Sequence, residues 1–457
     1  MHLFYRSFLP VLYLIGFVFF HAFIHAQNEY LQYRSETNPY YWKNRKPHSA
    51  YWQQDVHYTI EASLNDSSDI LQGQEEILYF NNSPFELTVL YFHLYNNAYT
   101  PGSYLTQLQS NQSQTLRFGK YRKKGLGTEV TSVSQLNQPL KTELDNTILK
   151  VYLKQPLKPG ASVNLSLSFN TYFDREVVQN RMKMFQNGPN KHYDIVHWYP
   201  RLAVFDAQRL WNTDQHLNHE FYGDFGSFHI KLWLPNHFIC EGTGDLINAN
   251  QALPDSLRRR FDLEQFANRN PSDPVSQPIK PNGQQKLWEF SAINVHDVAF
   301  SADPSYRLDE IKFKNTRCVV LVQEKNAPGW QNSAGFLYRL IESLDQNLGP
   351  YPYSKLIVAD AQDGMEYPML SLCGGLDPEN RSLIIHECIH NWFQGMIGTN
   401  ETYRAWMDEG FTQFFTSEIM EELEGRYLYP NTSKNSWIQS LSDPERVVDH
   451  FLYTPYY

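Results

Sequence analysis

The chain has 457 residues, enough at roughly 150 residues per domain for two to four domains with buried cores, and too many for a disulfide miniprotein. Hydrophobic residues make up 42% and charged residues 19%, with no long low-complexity tract, which argues for a globular chain and against a disordered or coiled-coil one. With 39 Lys+Arg against 49 Asp+Glu the formal charge is −10, so no general electrostatic pull toward nucleic acid is expected.

At the start, Arg6 precedes an apolar run from Leu9 to Phe20, broken only by Pro10 and Gly16, and polar Gln27-Asn28 follows. This pattern predicts a secretory signal peptide over residues 1–26, cut after Ala26. Ile24 is bulkier than the residue usual three places before such a cut, which leaves an uncleaved N-terminal anchor as the alternative. Either way the remainder is expected to be exported, periplasmic or extracellular, with no membrane contact beyond that start. A polar segment over 27–50 leads into the first domain.

Beyond residue 51 the pattern is that of β structure. Val56-His57-Tyr58-Thr59-Ile60-Glu61-Ala62, Val163-Asn164-Leu165-Ser166-Leu167-Ser168-Phe169 and Phe228-His229-Ile230-Lys231-Leu232-Trp233-Leu234 alternate apolar and polar residues, as half-buried antiparallel strands do. Asn65-Asp66-Ser67-Ser68 and Asn81-Asn82-Ser83-Pro84 read as turns. The basic cluster Lys120-Tyr121-Arg122-Lys123-Lys124, flanked by Gly119 and Gly125, reads as a solvated loop, and 268–285 as a surface loop. Strands are expected over 287–294 and 318–323. After about Gly329 the spacing becomes helical: Phe336, Leu337, Leu340, Ile341 and Leu344 suit a helix ended by Gly349-Pro350, and two more helices are expected over 382–396 and 405–423. Cys240, Cys318, Cys373 and Cys388 lack metal-site spacing and are expected to be mostly small buried hydrophobes. The expected architecture is multidomain: a β-rich domain over 51–307, then an α-rich domain over 308–457 that carries the chemistry.

That chemistry rests on His386-Glu387-Cys388-Ile389-His390. Residues i and i+4 share a helix face, so both imidazoles can converge on one ion, with Glu387 beside its open side. A chance HExxH in this composition has an expectation of roughly 0.03, and requiring a carboxylate at the position of Glu409 lowers it to about 0.002. His386, His390 and Glu409 are thus the candidate ligands of one Zn2+ per chain, with Glu387 the base that takes a proton from water. Asp408 can orient a ligand histidine or stand as a solvated helix start. Cys388 points away, into the core.

About twenty residues before this motif stands Asp363-Gly364-Met365-Glu366-Tyr367-Pro368-Met369. It resembles the Gly-x-Met-Glu-Asn substrate motif of the aminopeptidase N family, the zinc aminopeptidases of peptidase family M1, whose gluzincin spacing His386, Glu387, His390 and Glu409 also match. His197-Trp198-Tyr199-Pro200-Arg201, Phe221-Tyr222-Gly223-Asp224 and Asp297-Val298-Ala299-Phe300 resemble the family's N-terminal β domain. The resemblance implies a saddle-like antiparallel all-β domain followed by a thermolysin-like α+β catalytic domain. It implies peptide substrates with a free N-terminus, Glu366 on the substrate's α-ammonium, and the backbone of Gly364 and Met365 along the extended peptide.

Two departures qualify this. Where many members carry an Asp-Glu-Pro triplet that adds a second carboxylate, this sequence reads Phe205-Asp206-Ala207; His197 or another β-domain residue is expected to assist. The family's transition-state tyrosine is matched by Tyr456 in Thr454-Pro455-Tyr456-Tyr457, with Tyr457 and Tyr453 behind it, and a catalytic domain ending there would be incomplete. The expected function is therefore a zinc aminopeptidase. The alternatives are an endopeptidase or other hydrolase of the same fold, or a non-catalytic binding protein. Side-chain preference and oligomeric state are not legible.

Overall fold

The protein is described by a computed structural model over residues 51–175, 182–187, 190–270, 272–361, 364–374 and 381–426. The signal peptide and the candidates Tyr453, Tyr456 and Tyr457 lie outside the described residues. Strand β1 (Asp55–Asn65) turns back into β2 (Ile70–Phe80) through a turn in which the Asn65 side chain accepts from the N–H groups of Ser67 and Ser68. Every second residue of β1, from Val56 to Leu64, is buried, as its alternation requires. Strands β3 (Ser162–Tyr172), β4 (Gly226–Pro235) and β5 (Gln285–Val295) extend the sheet. Its order is Asp245–Leu246, β5, β4, β1, β2, β3, Thr128–Gln135, Gln138–Pro139.

Within that sheet β1 and β4 run parallel, with Val56 opposite Gly226, whereas the other pairings are antiparallel. The expectation of a wholly antiparallel domain is corrected there: a parallel pair needs a long crossover, and the many strands between β1 and β4 supply it. A short helix, α1 (Tyr104–Asn111), capped by Ser103 Oγ accepting from Thr106 N at 3.1 Å, also interrupts the β pattern. The basic loop needs correction too. Arg122 is fully buried, and the N–H groups of Tyr121 and Arg122 donate to the Asp174 carboxylate at 2.8 and 2.7 Å, so only the lysines of the cluster face water. Burial pushes the Arg122 guanidinium down to about 10.

Two four-stranded sheets pack in the same region. One runs Ile239–Gly242, Phe300–Asp303, Asn190–Ile195, Lys183–Asn187, and the other Arg201–Leu202, Leu87–His93, Ile148–Leu157, Lys141–Asp145. His197 lies on the segment that joins Asn190–Ile195 of the first to Arg201–Leu202 of the second.

The second part of the chain is a sheet covered by helices. Strands β6 (Tyr306–Phe313), β7 (Thr316–Gln323), β8 (Lys355–Ala361), β9 (Met365–Tyr367) and β10 (Leu370–Gly374) are ordered β6-β7-β8-β10-β9. β8 runs parallel to both β7 and β10, and the short edge strand β9 antiparallel to β10. The segment expected to be helical thus contains three strands. All seven residues of β8 are buried, and a run without alternation does not announce a strand.

Helices α2 (Ser333–Asn347), α3 (Arg381–Phe393) and α4 (Glu409–Glu424) share one apolar core with this sheet, in which Leu340, Leu344, Ile385, Ile389, Trp392 and Ile419 meet Val320, Leu356 and Val358. α3 ends at Phe393 rather than 396, in a turn where Gly395 N bonds back to His390 O and Gly398 adopts φ 61°. α4 begins at Glu409 rather than 405, after the single turns Glu401–Arg404 and Ala405–Met407. All four cysteines are unpaired and buried. Between the β-rich part and the helix-covered sheet, Lys355 Nζ pairs with Glu241 at 2.8 Å, both fully buried.

Candidate metal centre and carboxylate cleft

α3 and α4 pack so that Glu409, the first residue of α4, meets the imidazoles of α3 one turn apart. His386 Nε2 stands 3.2 Å from His390 Nε2 and 3.2 Å from Glu409 Oε2, and His390 Nε2 lies 3.7 Å from that oxygen. In a tetrahedral zinc site with ligands about 2.0–2.1 Å from the ion, neighbouring ligand atoms are separated by about 3.3 Å. The triangle formed by the two nitrogens and the oxygen therefore has the size and donor chemistry of three corners of such a site.

The orientation of His390 is set from behind. Its Nδ1 donates to Asp408 Oδ1 at 2.6 Å, with Thr412 Oγ1 3.4 Å away, which leaves the Nε2 lone pair facing Glu409 and His386. Thr416 Oγ1 sits 3.5 Å from His386 Nδ1. Of the two roles open to Asp408, the geometry is that of an orienting partner. Its carboxyl is raised well above the usual range by burial, with Glu409 and Glu220 adding to the shift and His386 opposing it.

Glu387 is buried on the same helix, and its carboxylate lies against Gly364, where any Cβ would collide with it. Gly364 is thus required by the close approach of chain and carboxylate. The loop is tied to α3 by two further bonds: Ser371 Oγ donates to Glu387 O at 2.9 Å, and Asn391 Oδ1 accepts from Met369 N at 2.8 Å. Glu366, on the edge strand β9 opposite Ser371, is also buried. Its carboxylate, that of Glu387 and a ring nitrogen of His390 lie within 4.8 Å of one another. Burial raises the Glu366 carboxyl well above the usual range; His390 opposes this, and Glu220, Asp408 and Glu409 reinforce it.

Met365 is buried beside Glu366, and the Tyr367 hydroxyl meets His197 Nε2 at 2.9 Å. His197, held at φ 49° and lying over Phe221 with ring centroids 3.8 Å apart, backs the motif through Tyr367. Two further carboxylates do lie beside Glu366, from residues the sequence reading did not single out. Glu220 and Glu401, both buried, form with Glu366 a group whose oxygens lie within 4.8 Å of one another. Burial likewise raises the Glu401 carboxyl, with Asp408, Glu366 and Glu220 adding to it and Arg201 opposing. Neither residue sits at a spacing that marks it. Glu220 directly precedes the Phe221-Tyr222-Gly223-Asp224 segment, and that is the only signal it carries.

Two imidazoles on one helix, a carboxylate from the next and a glutamate beside the first ligand define the class of metallopeptidase sites. The Peptidase family M1 domain model matches residues 376–447, the stretch that holds His386, Glu387, His390 and Glu409, in line with the sequence resemblance. Leucine aminopeptidase 2 of Neurospora crassa is 23% identical over 163 residues, a match covering 33% of this chain and 24% of that protein. The chain thus spans about a quarter of that curated relative. Among solved structures, the M1 zinc metallopeptidase of Deinococcus radiodurans is similar with a TM-score of 0.52, and a substitution variant of it bound to a Tyr-Ser-Ala substrate with 0.53. Both are 14% identical and cover 82% of this chain and 72% of theirs, a likeness of fold.

Proposed function

We propose that the chain is the zinc-binding core of an aminopeptidase that removes N-terminal residues from peptides. The observation that carries this reading is the adjacency of two groups that share His390: the metal triangle His386, His390, Glu409, and the group Glu366, Glu387, His390 beside it. Zinc, held by His386, His390 and Glu409, supplies Lewis-acid polarisation of a scissile carbonyl and lowers the pKa of a water toward 7.

The chain's own residues do the rest. Glu387 takes the proton of the attacking water on its carboxylate and delivers it to the leaving amine. Asp408 holds the Nδ1–H of His390, so that ring keeps one tautomer throughout. Glu366 pairs with the substrate's α-ammonium. β9 is the last strand of its sheet among the described residues, and in this reading the backbone of Gly364 and Met365 runs alongside an extended peptide as an added strand would. Tyr456, on the strength of the family resemblance, donates to the oxyanion of the tetrahedral state. In this reading 51–307 is the saddle-like β domain and 308–457 the thermolysin-like catalytic domain, and the signal at 1–26 sends the protein to the periplasm or beyond.

The test compares an aminoacyl anilide with its N-acetylated form. Cleavage confined to the free amine is expected; equal turnover of both would sink the exopeptidase reading in favour of an endopeptidase or another hydrolase. Replacing Glu387 by Gln should leave one equivalent of zinc bound and lower kcat by about 10²–10⁴-fold. Retained turnover would remove Glu387 from its role as base.

A further inference from the structure

The hairpin that carries Glu366 turns on two residues. β9 and β10 pair Tyr367 with Leu370, so Pro368 and Met369 alone make the connection. Proline fixes its own φ on the negative side, and Met369 follows at φ 68°. That order is the one type II turns use, and their second position favours glycine because a side chain there is strained. Such turns also splay the strands they join, since strand twist is matched by the mirror-image types. A strained residue persists only where its surroundings over-determine it.

Here the surroundings include the helix that bears the metal ligands. Asn391, the residue after His390 on α3, is buried, and its Oδ1 accepts from Met369 N at 2.8 Å. Ile357 N donates to Met369 O at 2.9 Å, so both backbone polar groups of the strained residue are fixed. The Tyr351 hydroxyl stands 3.0 Å from the same Oδ1, and two donors converging there decide which end of the amide faces the turn. At the other end Nδ2 lies 3.4 Å from Ser371 Oγ, which donates in turn to Glu387 O at 2.9 Å. Ser371 is the cross-strand partner of Glu366.

We propose that Asn391 is a positioning residue: it clamps the β9–β10 turn to α3 and, with Ser371, sets how far the Glu366 carboxylate stands from Glu387 and the metal ligands. The consequence for substrate rests on the aminopeptidase reading above. With Glu366 on the α-ammonium, the clamp is what makes the cleft measure one residue.

The tolerance such a measure needs is small. An α-nitrogen is two bonds, about 2.5 Å, from its own carbonyl carbon, so the amine site and the base must keep a fixed spacing. Glu366, Glu387 and His390 bring a ligand atom each within 4.8 Å of one another, so a shift of the hairpin changes that spacing directly. A misplacement of about 1 Å can lower turnover on the order of 10²-fold. Because Asn391 shares α3 with His386, Glu387 and His390, the hairpin is referenced to the same rigid element as the chemistry.

The experiment compares the full chain with Asn391→Ala, Ser371→Ala and the double variant Asn391→Ala/Met369→Gly. It reads hydrogen exchange, zinc content, Tm, and kcat and KM on a leucyl anilide and on the same anilide with hydrogen in place of the amine. Asn391→Ala should exchange at least about 10-fold faster over residues 365–371, with residues 384–390 as protected as in the wild type and one equivalent of zinc retained. Its preference for the amine in kcat/KM should fall about 10-fold or more, because the substrate without the amine makes no use of Glu366 and keeps its rate within about 3-fold. Ser371→Ala should move both readouts the same way by about 3-fold, and it carries the test where Asn391→Ala does not fold. Met369→Gly removes the strain, so the double variant should regain part of the lost preference. A wild type indifferent to the amine would overturn the aminopeptidase reading and the one-residue measure with it, while the exchange data would still decide whether Asn391 holds the turn. A wild type that selects the amine, with variants that slow both substrates equally or lose zinc, would overturn the clamp alone, since Asn391 would then support only the fold. So would unchanged exchange over the hairpin.

Discussion

The metal half of the site and its carboxylate half are built in opposite ways. His386, Glu387 and His390 sit on one helix, and Asp408 and Glu409 open the next, so the metal half is a product of two packed helices and a connection. Glu220, Glu366 and Glu401 share no element, and only the packing of the β-rich region against the helix-covered sheet brings them together. A site assembled locally tolerates motion between regions, whereas one assembled across them depends on every contact that holds those regions in place.

That contrast can be tested at unequal depths. The largest effect should come from Asp408→Asn. An amide can offer its N–H₂ instead of an acceptor to His390 Nδ1, upsetting the tautomer, and zinc affinity should fall about 10–100-fold, read by competition with a chelator. Unchanged affinity would mean that α3 and α4 suffice to orient the ring. A smaller effect is expected from Tyr367→Phe, which removes the hydroxyl joining the substrate motif to His197. A neutral hydrogen bond contributes about 0.5–1.5 kcal/mol, so KM for a free-amine substrate should rise about 2–10-fold while zinc content stays at one equivalent. A fall in zinc would show that the halves are not separable.

The smallest effect on catalysis should come from Glu75→Gln, on β2 and in neither group of site residues. Glu75 faces the core from β2 with neither carboxylate oxygen hydrogen-bonded among the described residues, and burial raises its carboxyl well above the usual range. Because the folded state holds that proton more tightly than the unfolded chain does, the stability it brings is complete below about pH 4 and is lost as pH rises through the raised folded value. Glu75→Gln should therefore leave kcat/KM unchanged, and its Tm should gain on the wild type as pH climbs from about 4 to 8. A difference in Tm that is constant with pH would show that Glu75 stays ionised in the fold.

Other features divide along the same line. The alternating strands and the helix over Phe336 to Leu344 are legible because burial on one face imposes a period on neighbouring residues. β8 is hidden because both its faces are covered, and the burial of Arg122 is not legible because a basic run says nothing of Asp174, which anchors its backbone from just past the end of β3. The parallel pairing of β1 with β4 leaves no local mark in either strand.

By itself the sequence determined the candidate residues of the metal half: HExxH puts His386 and His390 on one helix face, where helix geometry converts spacing into direction, and Glu409 follows at the start of the next helix. It also determined that a glutamate expected near Ala207 is absent. Only the tertiary structure brought other carboxylates to Glu366. Glu220 and Glu401 acquire meaning from a shared neighbourhood with Glu366, and proximity between segments with no common period is a property of packing, which no short-range pattern records.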